Sequence, residues 1–333
     1  MAVAEVQRGQ GLRVGARVLG LLAVPLNGMI VCALGQGPMR QLDLRNALGN
    51  PAETTLRGHL TRLEEIGALR RRMRSGGPQF VKNELTGVGI DLLVATRALE
   101  GWLSRAPHGP IELGTVQAKG AVKALLGGWD STLLRALAAR PLTLTQLDRL
   151  IGAFSYPALE RRLAAMRSTG LAVAGASPGG TPYTVTDWTR QGVGPILASV
   201  LFERLHFEDV PPPNSIDIEA AFMLATPISD LPLHVDGVCN LVVELGNGGD
   251  GDGDGRQAGV EVTVDRGRLV SCVARLAPSP RNWALAPAVT WLEALVYSRP
   301  ERLRVGGDRH LAYGLVRGMH EQLFRGREPA RVA

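Results

Sequence analysis

The chain of 333 residues is poor in the residue types that most often carry chemistry. Its three cysteines, Cys32, Cys239 and Cys272, form no CxxC pair, and its six histidines sit in no HExxH motif. That spacing supports neither a disulfide framework nor a zinc site, and free thiols fit a reducing cytoplasm. Ser, His and Asp occur without a nucleophile elbow. The Gly-rich stretch around Gly246 neither follows a dinucleotide-binding strand nor opens a helix, so the sequence offers no enzyme chemistry and implies no cofactor. A long uninterrupted apolar run is missing as well. Residues 18–34 follow Arg13 and Arg17 much as a leader or a membrane span would, yet Pro25 and Asn27 break them into two short helices. No small-residue cleavage site stands out after them, and the reading is a cytoplasmic protein with no membrane partner.

With 45% hydrophobic and 20% charged residues, the chain can bury more than one core, and two or three domains are expected. A formal charge of +6 and a pI near 9.7 favour an anionic partner. Because 31 acidic residues offset 37 basic ones, clustering has to decide.

The decisive cluster lies in residues 40–74. Leu42, Leu44, Leu48, Leu56, Leu60, Leu63, Ile66 and Leu69 recur at helical spacing, predicting the buried faces of two short amphipathic helices. Gly49-Asn50-Pro51 interrupts them, with Asn50 a suitable cap and Pro51 a suitable helix start. The second helix then exposes Glu53, Thr54, Arg57, Gly58, Thr61 and Arg62, a small, polar, cationic face that suits a major groove, with Thr55 and His59 as further candidate contacts, His59 being equally readable as a solvated surface histidine. Gly67 can close it. Arg70, Arg71, Arg72 and Arg74 follow at once, Ser75-Gly76-Gly77-Pro78 forces a reversal, and the return strand carries Lys82. This is the layout of a winged helix-turn-helix, with a recognition helix and a basic wing.

The same skeleton recurs. Leu56, Leu60 and Gly67 have counterparts in Leu159, Leu163 and Gly170, and Pro38 pairs with Pro141 at the same offset (141 − 38 = 103). Such a period indicates duplication of a whole domain rather than a solenoid. The second copy has Ala172, Val173 and Ala174 where the first has wing arginines, and Glu160 where the first has Arg57. It still offers Tyr156, Arg161 and Arg162, but the first copy is expected to dominate contact with phosphates.

Val210-Pro211-Pro212-Pro213-Asn214 reads as a linker. Beyond it the pattern predicts a helix at 216–224, strands at 238–245, 259–265 and 269–274, a hairpin turn at Asp265-Arg266-Gly267-Arg268, and helices at 284–297 and 308–324. The fold class is therefore multidomain: two mainly α winged helix-turn-helix units and an α+β domain with one helix-covered sheet. The boundaries are a tail at 1–15, units at 16–106 and 120–208, a linker at 209–215 and the last domain at 216–326. Asp250, Asp252 and Asp254 with Glu261 match the EF-hand formula, but no helix precedes them and Glu261 falls in a strand, so a hairpin loop is the default over calcium.

The string TTLRGHLTRLEEIGALRRR at 54–72, with Leu85-Thr86-Gly87-Val88-Gly89 and Tyr183-Thr184-Val185-Thr186, resembles the winged-helix regulators of the HxlR type, in both copies. That resemblance implies operator DNA as partner and pairing through terminal helices, which makes a homodimer a candidate. It departs from the family in having two units and no clear equivalent of the sensor cysteine, since Cys32 falls inside a predicted core helix. Residues 216–324 are similar to the sterol-carrier-protein type 2 fold in Gly259-Val260-Glu261-Val262-Thr263-Val264, Trp291-Leu292-Glu293-Ala294-Leu295 and Arg302-Leu303-Arg304-Val305-Gly306-Gly307-Asp308. This similarity implies an apolar cavity and an apolar small-molecule effector, with Val242, Val262, Trp283, Trp291 and Leu295 as candidate lining. The expected function is a transcriptional regulator that binds double-stranded DNA. The alternatives are a tandem docking module that does not read DNA, and an apolar-ligand carrier or enzyme accessory protein.

Overall fold

Pro25 decides how the apolar N-terminal run folds. The run becomes α1 (Ala16–Leu22) and α2 (Pro25–Leu34), bent by 86° at the break, with Pro25 in the first turn of α2 where its missing N–H costs nothing. The computed structural model describes residues 15–73, 81–152, 154–176, 180–208, 210–244 and 257–324. Among these, no single helix is long and apolar enough to cross a membrane.

Two more helices follow, α3 (Gln41–Ala47) and α4 (Glu53–Glu65), and then strands β1 (Leu69–Met73) and β2 (Val81–Leu85). Leu44, Leu48, Leu56, Leu60, Leu63 and Leu69 are buried as expected. Leu42 is not, at 63% exposure, because two helical steps turn it away from Leu44 on a helix of only seven residues. Asn50 does not cap α4 either. Gly49 and Asn50 both take left-handed backbone, φ 77° and 59°, and Asn50 donates its N–H to the Arg45 carbonyl at 2.9 Å, so the turn uses up the asparagine. Ala52 occupies the cap position and its side chain accepts nothing. The strands pair antiparallel from Leu69 opposite Leu85 to Met73 opposite Val81, and Met39 bridges Asn83 as a third, minimal strand.

The exit from α4 is tightly specified. Gly67, at φ 73°, lets its own N–H reach the Glu64 carbonyl at 2.9 Å and the Ala68 N–H reach that of Leu63 at 2.9 Å, a Schellman closure. Thr86 then clasps the far side: its hydroxyl donates to the Gly67 carbonyl at 2.6 Å and its N–H to the Ala68 carbonyl at 3.1 Å. The same oxygen accepts the Gly89 N–H at 3.1 Å and so caps α5 (Gly87–Leu103).

After α6 (Val116–Gly128), the next segment runs α7 (Ser131–Ala139), β3 (Leu142–Thr143), α8 (Leu144–Ile151), α9 (Tyr156–Ser168), β4 (Ala172–Ala174), β5 (Pro182–Val185) and α10 (Asp187–Gln191), followed by α11 (Val193–His206). Its three strands form a small sheet in the order β3-β5-β4. The last domain contains α12 (Ser215–Ala225), β6 (Gly237–Glu244), β7 (Gln257–Asp265), β8 (Arg268–Val273), β9 (Trp283–Pro287), α13 (Ala288–Val296), β10 (Arg304–Gly306) and α14 (Arg309–Phe324). The helix expected over 284–297 is shorter than its apolar run, because Trp283–Pro287 pairs parallel to β6 instead. The sheet order is β10-β9-β6-β7-β8. Arg266 and Gly267 take positive φ, 44° and 76°, as a tight hairpin turn needs.

Strand alternation divides the five expected ligand-lining residues. Val262, Trp291 and Leu295 are buried in the core on the helix-covered side, where Trp291 donates its Nε1–H to the Val242 carbonyl at 2.8 Å and packs edge-on against Phe222. Val242 and Trp283 face the other way, across a cavity of about 300 Å³ partly roofed by Leu276, Ala277 and Pro280. Asn240 holds that roof by donating its amide to the Ala277 carbonyl at 3.2 Å. Asp250, Asp252 and Asp254 lie outside the described residues. Glu261 sits within β7, 3.7 Å from Arg275.

The chain forms two compact units that cross the domain lines drawn from sequence. One comprises Gly15–Lys123 with Gly194–Val210, and the other Ala124–Val193 with Pro211–Leu323. In the first, Glu203 is 2% exposed and its carboxylate accepts the N–H groups of Gly15 and Val18 at 2.6 and 2.9 Å, capping α1 from a distant part of the chain. His206 and Asp91 join α11 to α5 at 2.8 Å. In the second, the three prolines lead into α12, which is buried along most of its length. Ser131 donates to Asp217 at 2.7 Å, Arg135 pairs with Glu219, and Glu219 also accepts the Gly259 N–H at 2.7 Å.

Gly67→Ala should cost about 1–2 kcal/mol, since a side chain there meets only Val88 at 3.9 Å and the penalty is conformational. Gly89→Ala should be far worse, more than about 3 kcal/mol, because its Cβ would stand 2.1 Å from the Ala68 carbonyl oxygen. Glu203→Ala should cost about 2–3 kcal/mol through two stranded N–H groups. Urea unfolding of the three variants checks the ranking.

Candidate nucleic-acid interface

Burying Leu56, Leu60 and Leu63 fixes which face of α4 looks outward. Thr54, Thr55, Arg57, Gly58, Thr61 and Arg62 are all exposed there. Arg57 leans back on Glu53 at 3.1 Å, one helical turn earlier, and Arg62 has no ion pair among the described residues. His59 is different. It is half-buried and hydrogen-bonded through Nδ1 to Asn27 Oδ1 at 2.7 Å. Asn27 is fully buried and donates its amide to the Leu21 carbonyl at 2.9 Å, so its oxygen accepts and His59 Nδ1 carries the proton. Burial first, and Arg62 second, hold the His59 pKa below its usual value. The ring ties α4 to α1 and α2 as a neutral group.

The wing is less cationic than its sequence. Alternation along β1 sends Arg71 to one face, where it meets Glu64 of α4 at 2.7 Å, and Arg70 and Arg72 to the other. There both share Glu84, at 2.6 and 3.8 Å, because the register sets Arg70 opposite Glu84. These arginines remain 46–70% exposed, and surface pairs of this kind contribute only about 0–1 kcal/mol. A phosphate can replace the carboxylate at little cost. Lys82 is half-buried with no ion pair among the described residues, and Arg74 lies outside them.

The corresponding face of the 120–208 segment has another character. Tyr156 opens α9 at 44% exposure, and Arg161 is exposed. Arg162 is folded back, 3.3 Å from Asp130 and 4.8 Å over the Phe154 ring. Glu160 is exposed and Val173, on β4, is 48% exposed. This face is nearly neutral and partly apolar.

The skeleton of the first segment, two helices joined by a left-handed turn and followed by a paired wing, resembles a known family. Residues 25–108 match the HxlR-like helix-turn-helix domain. The match takes in α2 to α5, with the whole outward face of α4 and the wing, and it ends before the 120–208 segment and the C-terminal domain. No curated protein and no solved structure matches the chain.

Sequence reasoning finds the outward residues of α4 but misses the acids that restrain the cations. Glu53 is readable, being four residues before Arg57. Glu64 and Glu84 are not, because their partners follow from strand register. Asn27 is hidden for the same reason: its partner lies 32 positions away.

An NMR titration should place His59 below 6.5. With the folded-state pKa depressed, its contribution to stability is complete above 6.5 and declines as pH falls through the window beneath that value. DNA affinity should gain nothing from His59 between pH 7.5 and 6.5.

Proposed function

We propose that the protein is a non-enzymatic, sequence-specific transcriptional regulator acting on double-stranded DNA in the cytoplasm. The recognition helix α4 enters the major groove, and Arg70, Arg71 and Arg72 on the wing approach the backbone. The observation that carries this reading is the outer face of α4, where Thr54, Thr55, Arg57 and Arg62 stand together and exposed on a matched helix-turn-helix.

The 120–208 segment is best read as a degenerate second copy of the same unit. Its support is the clasp. Gly170 at φ 77° closes α9 as Gly67 closes α4, with Leu171 N–H on the Met166 carbonyl at 2.8 Å. The Thr186 hydroxyl donates to the Gly170 carbonyl at 2.8 Å and accepts the Thr189 N–H at 3.3 Å, as Thr86 does with Gly67 and Gly89. In this reading the copy keeps the fold and has given up binding to phosphate. Leu150, Tyr156 and Val173, each 44–59% exposed, favour a protein partner for its outer face. The C-terminal domain would act as a sensor, with an apolar effector against Val242 and Trp283 shifting the DNA-competent population.

Fluorescence anisotropy with an operator found by genome-wide mapping tests the reading. Arg57→Ala combined with Arg62→Ala should weaken binding at least about tenfold and flatten the salt dependence by roughly one ion for each phosphate no longer neutralised. Arg161→Ala should change affinity less than about twofold. The number of half-sites protected separates a single reader from a homodimer. Unchanged affinity in the α4 variant would leave docking without DNA as the function.

A further inference from the structure

The DNA-reading unit contains a half-open cavity of about 910 Å³ that neither the recognition helix nor the wing uses. It lies where α2 and α5 both end. Met29, Cys32 and Ala33 come from the last two turns of α2, Arg97, Glu100 and Gly101 from those of α5, and Ala47 and Leu48 from the end of α3. The remaining wall, Pro110 to Leu113, is built in and not draped over. Ile111 donates its N–H to the Leu103 carbonyl at 3.0 Å, and Leu113 packs so closely on α2 that a Cβ at Gly28 would meet it at 2.8 Å.

Three features give the cavity one electrostatic sign. Helix C-termini carry the negative end of the backbone dipole, and neither α2 nor α5 has a basic residue in its last turn to offset it. Glu100 and Glu112 both line the cavity, against a single cation, Arg97. Arg97 is already held by Glu100 at 2.7 Å, and Glu112 is exposed with no ion pair among the described residues. The body of the cavity is apolar: Met29, Cys32, Leu48, Ile111 and Leu113 form most of it. Cys32 behaves as one of these apolar residues, since burial, then the Glu100 charge, push its thiol up to about 11 and keep it protonated.

We propose that this cavity binds an amphipathic organic cation, its apolar body against Met29, Leu48, Ile111 and Leu113 and its charge at Glu100 and Glu112, as an effector site within the DNA-reading unit itself. Leu48 is the route of influence. It is buried, ends α3, and directly precedes the left-handed Gly49-Asn50 turn that aims α4, so a ligand pressed on it bears on the angle of the recognition helix. The effector role rests on DNA reading by α4. The binding site does not.

The test is calorimetric titration of the full chain with tetraphenylphosphonium, beside tetraphenylborate, which has the same shape and the opposite charge. The phosphonium should bind at one site and the borate at least about tenfold more weakly. Glu100→Gln with Glu112→Gln should weaken the phosphonium about tenfold. Arg97→Gln should strengthen it several-fold, a gain that misfolding cannot imitate. Alkylation of Cys32 by N-ethylmaleimide should slow when the phosphonium is bound, which locates the site. Equal binding of the two ions, no binding, or indifference to these substitutions overturns the site. Demonstrated binding with unchanged operator affinity overturns only the effector role.

Discussion

The arrangement of the helix-turn-helix unit depends on one glycine carbonyl. At Gly67 the chain turns left-handed, and the freed carbonyl is taken by the Thr86 hydroxyl, the same atom that caps α5. One side chain thereby fixes three things: where α4 stops, where the β1–β2 hairpin must return, and where the long helix α5 begins. Gly89 lets the last two approach, its Cα lying where any Cβ would strike the Ala68 carbonyl. In the 120–208 segment the span from Gly170 to Thr186 is three residues shorter than that from Gly67 to Thr86, as the offsets 170 − 67 = 103 and 186 − 86 = 100 show, with the same hydroxyl-to-carbonyl bond across each.

Charge, by contrast, is arranged by register. The consecutive arginines of β1 are divided between two faces of the strand, each with its own carboxylate. Pairing of this kind holds long side chains in a defined direction while leaving them in water. It spreads the positive potential of the face without removing it, and it lowers the self-repulsion that a bare arginine run would bring to the folded state.

Much of this was legible in the sequence, and the division is physical. Leu56, Leu60 and Leu63 gave the orientation of α4 because helical periodicity is local, and Gly67 marked its stop. Val260, Val262 and Val264, at alternate positions of β7, are all buried, a periodicity equally local. Non-local features were not legible. Pairing of β9 with β6 turned the start of an apparent helix into a strand, and the faces of the C-terminal sheet separated Val242 and Trp283 from Val262, Trp291 and Leu295. The prolines at 211–213 read as a spacer, although Asp217 and Glu219, just beyond them, bond in the interior to α7 and β7. Polar residues on an apolar helix were the available hint.

Glu203 gives the first compact unit an order of assembly. The carboxylate that caps α1 is contributed 188 positions after Gly15, and between them the chain leaves to supply most of the second segment. On the ribosome, residues 25–108 therefore emerge before the carboxylate that caps α1. The cap on α1 can form only once α11 has been made, and the second unit closes later still, because its α7 bonds to α12 beyond residue 211. A fragment ending at residue 108 would keep the whole outward face of α4 and lose the cap on α1. The first unit is thus capped only after residues 124–193, which belong to the second unit, have been made.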